Sequence, residues 1–94
     1  MQDDEFGWRD AKAAANWRDH GVSFHDAIKA FRDRFAVEWI DDREDYGEDR
    51  FIITGRVGQQ LLTVAYTECD ERIRIISARK ATRREQDSYF SQGF

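Results

Sequence analysis

The sequence predicts an α+β fold in the order ααββββα: a four-stranded antiparallel sheet, preceded by a helical hairpin and followed by a C-terminal helix. Three observations predict it. Two early segments carry apolar residues at helical spacing between capping residues. Four later segments have strand length and composition, and the connections between them are too short for helical crossovers, which leaves antiparallel pairing. Thr82 and Glu85 then form a capping box shortly before the end of the chain. Elements of this kind pack as layers, with the helices on one face of the sheet and a site on the open face or an edge.

Arg9 to Asp19 is alanine-rich and free of glycine and proline, and Gly21 just past it caps the helix end. Trp8, Ala13 and Trp17 fall near helical spacing as a core-facing stripe. Ser23, with Asp26 three residues on, opens a second helix over Phe24 to about Arg32, whose apolar face is Phe24, Ala27, Ile28 and Phe31. Phe35 to Ile40 alternates as a strand, and Asp41 to Asp49 follows as an acidic, solvated loop. Phe51 to Val57 is the second strand, in which Gly55 marks a bulge or a close approach. Gly58-Gln59 turns the chain into Leu61 to Thr67, and Cys69-Asp70-Glu71 turns it again into Arg72 to Ala78. The last helix runs from Thr82 to about Ser91, and Gln92-Gly93-Phe94 is expected to fray.

The length fits one domain over residues 1–94, and 40% apolar with 14% aromatic residues is enough for a small core despite 36% charged residues. A single cysteine excludes an internal disulfide framework and fits a reducing compartment. No apolar run is long enough to span a membrane, and the acidic start MQDDEFGW is unlike a secretory signal, so a cytoplasmic protein is expected.

Charge is the most informative feature. The chain carries −4, yet its segment from Arg72 to Phe94 holds six cations against two acids. That reversal marks a surface for an anion, and phosphate is the commonest. Arg72 and Arg74 share one face of their strand, where arginine's planar fork suits phosphate. The bland alternative is cross-strand pairing with glutamates. Arg79, Lys80, Arg83 and Arg84 add cations where the strand meets the last helix, whose N-terminus also favours an anion. Taken together these favour an anion site. Arg79 itself reads as a surface residue that alanine replaces without harm to the fold.

Three groups are candidates for moving protons. His20 ends a helix, where it serves either as a proton carrier or as a local cap. Glu68 ends a strand beside the cationic one, or is simply an exposed turn acid. Tyr89 lies on the last helix, more in keeping with packing than with chemistry. Metal ligation is not expected: a helix break separates His20 from His25, and Cys69 has no second cysteine at zinc spacing. There is no glycine-rich phosphate loop and no nucleophile elbow, and no cofactor is expected.

These residues carry a family resemblance. Phe6-x-Trp8, Lys12, Asn16, His20-Gly21-Val22-Ser23-Phe24, Asp26-Ala27 and Phe31 resemble the first half of BrnT toxins. Asp49-Arg50-Phe51, Gly55, Tyr66-Thr67-Glu68, Ile73 through Arg79, and Ala81-x-x-Arg84-Glu85 with Tyr89 resemble the second half. Two departures are Gly7-Trp8-Arg9, where the family often has Glu-Trp-Asp, and Cys69-Asp70, where its turn commonly reads Arg-Gly. The resemblance implies a RelE-like fold and the toxin of a type II toxin–antitoxin pair, a ribonuclease that inhibits translation. It implies a BrnA-like ribbon-helix-helix antitoxin that dimerises, giving a heterotetramer, and that itself contacts promoter DNA.

Metal-free RNA cleavage would place Arg79 and Arg74 on the phosphate with Arg50 in support, and Glu68 or His20 as base. Lys12 and Tyr89 would then be acid or substrate contacts, and Arg72, Lys80, Arg83 and Arg84 would bind RNA. A degenerate toxin that only binds antitoxin or RNA is the alternative from another class.

Overall fold

A computed structural model describes residues 5–92. The expectations for the chain's first four residues and for Gly93-Phe94 lie outside those residues. Within them the elements are β1 (Phe6–Gly7), α1 (Asp10–His20), α2 (Phe24–Ala30), β2 (Val37–Asp41), β3 (Arg50–Val57), β4 (Gln60–Cys69), β5 (Arg72–Lys80) and α3 (Arg83–Phe90). Among the described residues no helix is long and apolar enough to cross a membrane.

The local signals act where they stand in the sequence. Gly21 takes the left-handed conformation at φ 66° that closes α1, and its N–H donates to the Trp17 carbonyl. Ser23 caps α2 by accepting from the Asp26 N–H. Thr82 and Glu85 form the full reciprocal capping box of α3. Gly55 is a close-approach site, not a bulge: a Cβ there would overlap the Ala30 carbonyl, so α2 can lie on β3 only over glycine.

The sheet corrects the expected four-stranded antiparallel layout. It has five strands in the order β1-β5-β4-β3-β2, and β1 runs parallel to β5, pairing Phe6 with Ile73 and Gly7 with Arg74. The RelE-like layout expected with it is therefore not matched in this detail. β1 has two residues and no alternation of its own; only its distant partner makes it a strand. The other pairs are antiparallel as expected.

The alternation of the strands sorts the faces. Ile53, Val57, Leu62, Val64, Tyr66, Ile75 and Ala78 pack with Phe24, Ala27, Ile28 and Ala30 of α2 in one core, closed by Phe6, Trp8 and Val22. Trp17 is exposed, so the expected stripe of α1 ends at Ala13. α1 is instead fixed through Asn16, a buried amide. Its Nδ2 donates to the carbonyls of Ala78 (2.7 Å) and Val22 (2.9 Å), and its Oδ1 accepts from the Ala78 N–H (2.9 Å). Beyond β1, this one side chain stands in for a neighbouring strand.

The helices do not all cover one face. Thr54 and Thr63 point away from that core and bond to each other, and Thr63 donates to Glu85 of α3. α3 therefore closes one end of the opposite face.

A β-bulge decides what else lies on that opposite face. Tyr66 pairs with Ile75 but Ala65 pairs with Ser77, which leaves Ile76 as an extra residue in β5. Arg74 opposes Thr67 and Arg79 opposes Thr63. Without the bulge the two arginines, an odd number of residues apart, would face opposite ways. With it they share a face.

Candidate anion site

Arg74 and Arg50 meet over one carboxylate. Arg74 Nη2 donates to Glu48 Oε1 at 2.9 Å and to Oε2 at 3.0 Å, and Arg50 Nε reaches Oε2 at 3.3 Å. The Arg50 guanidinium lies 4.0 Å over the Tyr46 ring, a cation–π contact that holds it in plane. These residues border a groove of about 350 Å³ together with Arg9 and Lys12 at the start of α1 and the bulge residues Ile75 and Ile76. Four cations and one carboxylate face the same opening. A second groove beside it, of about 360 Å³, is lined by Glu68, Thr67, Phe51, Cys69 and Asp49, and shares Glu48 and Arg74.

The acidic loop that delivers Glu48 is exposed, as expected, yet it is built. Asp41 is buried and accepts Arg43 at both oxygens (2.8 and 2.9 Å) and the Tyr46 hydroxyl at 3.3 Å. The Arg43 hydrogen bonds outweigh burial and hold the Asp41 carboxyl below its usual range. Arg43 comes near enough to Arg79 for its charge to oppose protonation there, so the loop lies over the face that carries Arg74 and Arg79.

Arg79 is engaged differently. Its Nη1 and Nη2 make a fork onto Glu85 Oε1 (2.7 Å) and Oε2 (2.9 Å), and Glu85 also accepts from the Thr82 N–H at 2.8 Å and the Thr63 hydroxyl at 3.0 Å. Burial pushes the Glu85 carboxyl up, but the Arg79 fork, the Thr82 N–H and the Thr63 hydroxyl together hold it down at about 2. Arg79 is expected as a surface arginine away from packing features, but it is partly buried and paired. Arg79 clamps the cap of α3 to the sheet.

The other residues singled out in the sequence scatter. Lys12 joins the groove. Arg72 donates to the Phe6 carbonyl at 2.9 Å, bracing β1, and borders an adjoining hollow with Trp8, Cys69 and Asp70 that shares Arg9 and Arg74 with the groove. Lys80, Arg83 and Arg84 are exposed at the far end of β5 and on α3; Arg83 makes a long pair with Asp87 at 3.6 Å. Tyr89 is buried, and its hydroxyl donates to Asp33 at 2.6 Å. Burial and the Asp33 carboxylate raise its pKa to about 12. Tyr89 thus ties α3 to the chain after α2, where Asp33 also accepts the Arg56 N–H at 2.7 Å.

His20 ends α1, eight residues past Lys12, a rise of about 12 Å. It borders none of the grooves around Arg74. Glu68 is exposed next to Arg74 in the second groove. Sequence reasoning missed Arg9, Tyr46 and above all Glu48. Glu48 stands two residues before Arg50, so alternation puts both on one side of the strand entry. Among the described residues no three His, Cys, Asp or Glu side chains come together as metal ligands.

The model of a family described as the ribonuclease toxin, BrnT, of type II toxin–antitoxin systems matches residues 8–85 of this chain. Among the curated proteins, none matches it.

Proposed function

Given that the chain belongs to the BrnT family of type II toxin–antitoxin ribonuclease toxins, we propose that it cleaves RNA without a metal ion, at the groove between Arg74 and Arg50. An antitoxin partner comes with the family. In this reading that partner is a BrnA-like ribbon-helix-helix protein that dimerises into a heterotetramer and alone contacts promoter DNA. The toxin works in the cytoplasm and inhibits translation by cutting RNA.

The observation that carries the proposal is the convergence of Arg9, Lys12, Arg50 and Arg74 on one opening. Cleavage through the ribose 2′-hydroxyl passes through a phosphorane with extra negative charge. Fixed arginines stabilise that charge, and losing one such donor costs ~2.7–4 kcal/mol of barrier. Arg74 and Arg50 hold the phosphate, and Lys12, which borders the same groove, protonates the leaving 5′-oxygen. Glu68 is near enough to assist; His20, at the other end of α1, is not part of this scheme. Arg79 supports the face and does not touch the substrate. Lys80, Arg83 and Arg84 extend the positive surface for flanking phosphates.

Expression of the chain alone should arrest growth, and co-expression with an adjacent small open reading frame should restore it. The purified protein should cut RNA in excess chelator, leaving 2′,3′-cyclic phosphate ends. Activity that vanishes with chelator and returns with magnesium would remove the metal-free part of the proposal. Normal growth with abundant folded protein favours the alternative, a non-catalytic antitoxin- or RNA-binding module. Glu48 is the observation on that side, since it already neutralises part of the charge on both arginines.

A further inference from the structure

We infer that Glu48 is the general base, the group that takes the proton from the ribose 2′-hydroxyl. The inference rests on the ribonuclease reading above and assigns the step that reading leaves open.

The hydrogen bonds around Glu48 leave room for both a phosphate and a proton. Arg74 spends only Nη2 on the carboxylate, and Arg50 only Nε. The remaining guanidinium N–H groups of both have no acceptor among the described residues. One pair of arginines can therefore hold the carboxylate on one side and a phosphate on the other. Of the two carboxylate oxygens, Oε2 accepts from both arginines, whereas Oε1 accepts a single bond from Arg74. Each carboxylate oxygen has two acceptor positions, so Oε1 keeps one free toward a hydroxyl. The side chain is one-third exposed, at the edge of the groove that Lys12 also borders.

The rival groups are less well disposed. Glu68 makes no hydrogen bond or ion pair to the arginines among the described residues, so nothing orients it. The Tyr46 hydroxyl is committed to Asp41. Asp41 is buried under Arg43.

The step balances as follows. Glu48 Oε1 takes the 2′-hydroxyl proton as the 2′-oxygen lone pair forms a bond to phosphorus. The bond from phosphorus to the 5′-oxygen breaks, and its electron pair leaves with that oxygen, which takes a proton from the Lys12 ammonium. The products are a 2′,3′-cyclic phosphate and a 5′-hydroxyl, and solvent then returns both groups to their starting charge.

A carboxylate between two arginines has a second meaning: it could fill the phosphate's place and simply be displaced. The two meanings differ in what Glu48→Gln does. The test uses the full-length purified chain, excess chelator, single-turnover cleavage of an RNA oligonucleotide, and binding of its 2′-deoxy analogue. As base, Glu48→Gln should slow cleavage by ~10²–10⁴-fold, leave analogue binding equal or tighter, and abolish the acidic limb of the pH–rate profile. Glu48→Asp should keep that limb at a reduced rate, and Glu44→Gln on the same loop should behave as the parent.

Wild-type cleavage with tighter binding in Glu48→Gln would overturn the assignment in favour of a displaced occupant. Binding lost in step with cleavage would overturn it in favour of a brace. In either case the ribonuclease reading stands. A parent chain that cuts no RNA would sink that reading, and this inference with it.

Discussion

Arg74 and Arg79 sit five residues apart on one strand, face the same way across the bulge, and each holds a glutamate. There the likeness ends. Glu85 receives four bonds from within the protein, a two-pronged fork, a backbone N–H and a threonine hydroxyl, three of them on Oε1. Glu48 receives one nitrogen from each of two arginines and opens onto a groove. A cation forked onto the cap of a helix stabilises a fold; a cation that gives one nitrogen to a carboxylate beside a groove can hold a ligand as well. Counting positive residues along the strand cannot tell these apart, because the difference lies in the partner.

The comparison breaks most visibly at Arg74. Its replacement by alanine should cut RNA cleavage by at least ~100-fold, the lower end for losing a transition-state donor. Thermal stability should change little, since the pair with Glu48 is partly solvated. Arg74→Lys should recover only part of the rate, keeping charge without the planar fork. Rate and unfolding measured on the same samples decide it; an active Arg74→Ala places the site elsewhere.

The closed region shows itself in acid. The Glu85 carboxyl stands at about 2 in the folded protein against 4.5 unperturbed. A depressed carboxyl contributes stability that is present above the unfolded pKa and lost as pH falls through the folded one. On the order of 3 kcal/mol should therefore disappear between roughly pH 5 and 2. Glu85→Gln should flatten that part of the stability profile, read by denaturant melts across the range. An unchanged acid slope would mean the carboxyl is not held down.

The smaller effect belongs to Arg79→Ala. Glu85 would keep Thr82 and Thr63, so the loss should be ~2 kcal/mol, below the ~3–5 kcal/mol of a wholly buried pair left broken. For a chain of this size that is a fall in Tm of roughly 8–16 °C. Cleavage per folded molecule should stay within a few-fold of the parent. A hundredfold loss of rate in a fully stable Arg79→Ala would restore Arg79 to the phosphate and erase the contrast.

Much of the fold was legible because its signals are local. Ser23, Gly21 and the Thr82–Glu85 box act within a few residues of themselves, and the two hairpin turns after Val57 and Cys69 join neighbours in sequence. What was not legible depends on distant partners. β1 exists only because β5 runs beside it, and α3 crosses to the second face because Thr63 and Arg79 meet it there.

The site divides in the same way. That cations gather near β5 could be read from composition. Glu85 was recognisable as a cap but not as the partner of Arg79. Glu48 was hidden in an acidic run whose bulk is indeed exposed. Tyr89 shows the limit of identity alone, since only its position opposite Asp33 makes it a tie and not a contact for substrate.

The extra residue at Ile76 gives this strand a tolerance of length that substitution would never expose. Ile76 is only half-buried, and what it contributes is one step of backbone. A one-codon deletion there would close the ladder: Ile75 and Ser77 would become neighbours, still opposite Tyr66 and Ala65, in ordinary alternation. Ala78 would stay against Asn16 and Arg79 against Glu85. In this strand the spare residue is the one the ladder can lose.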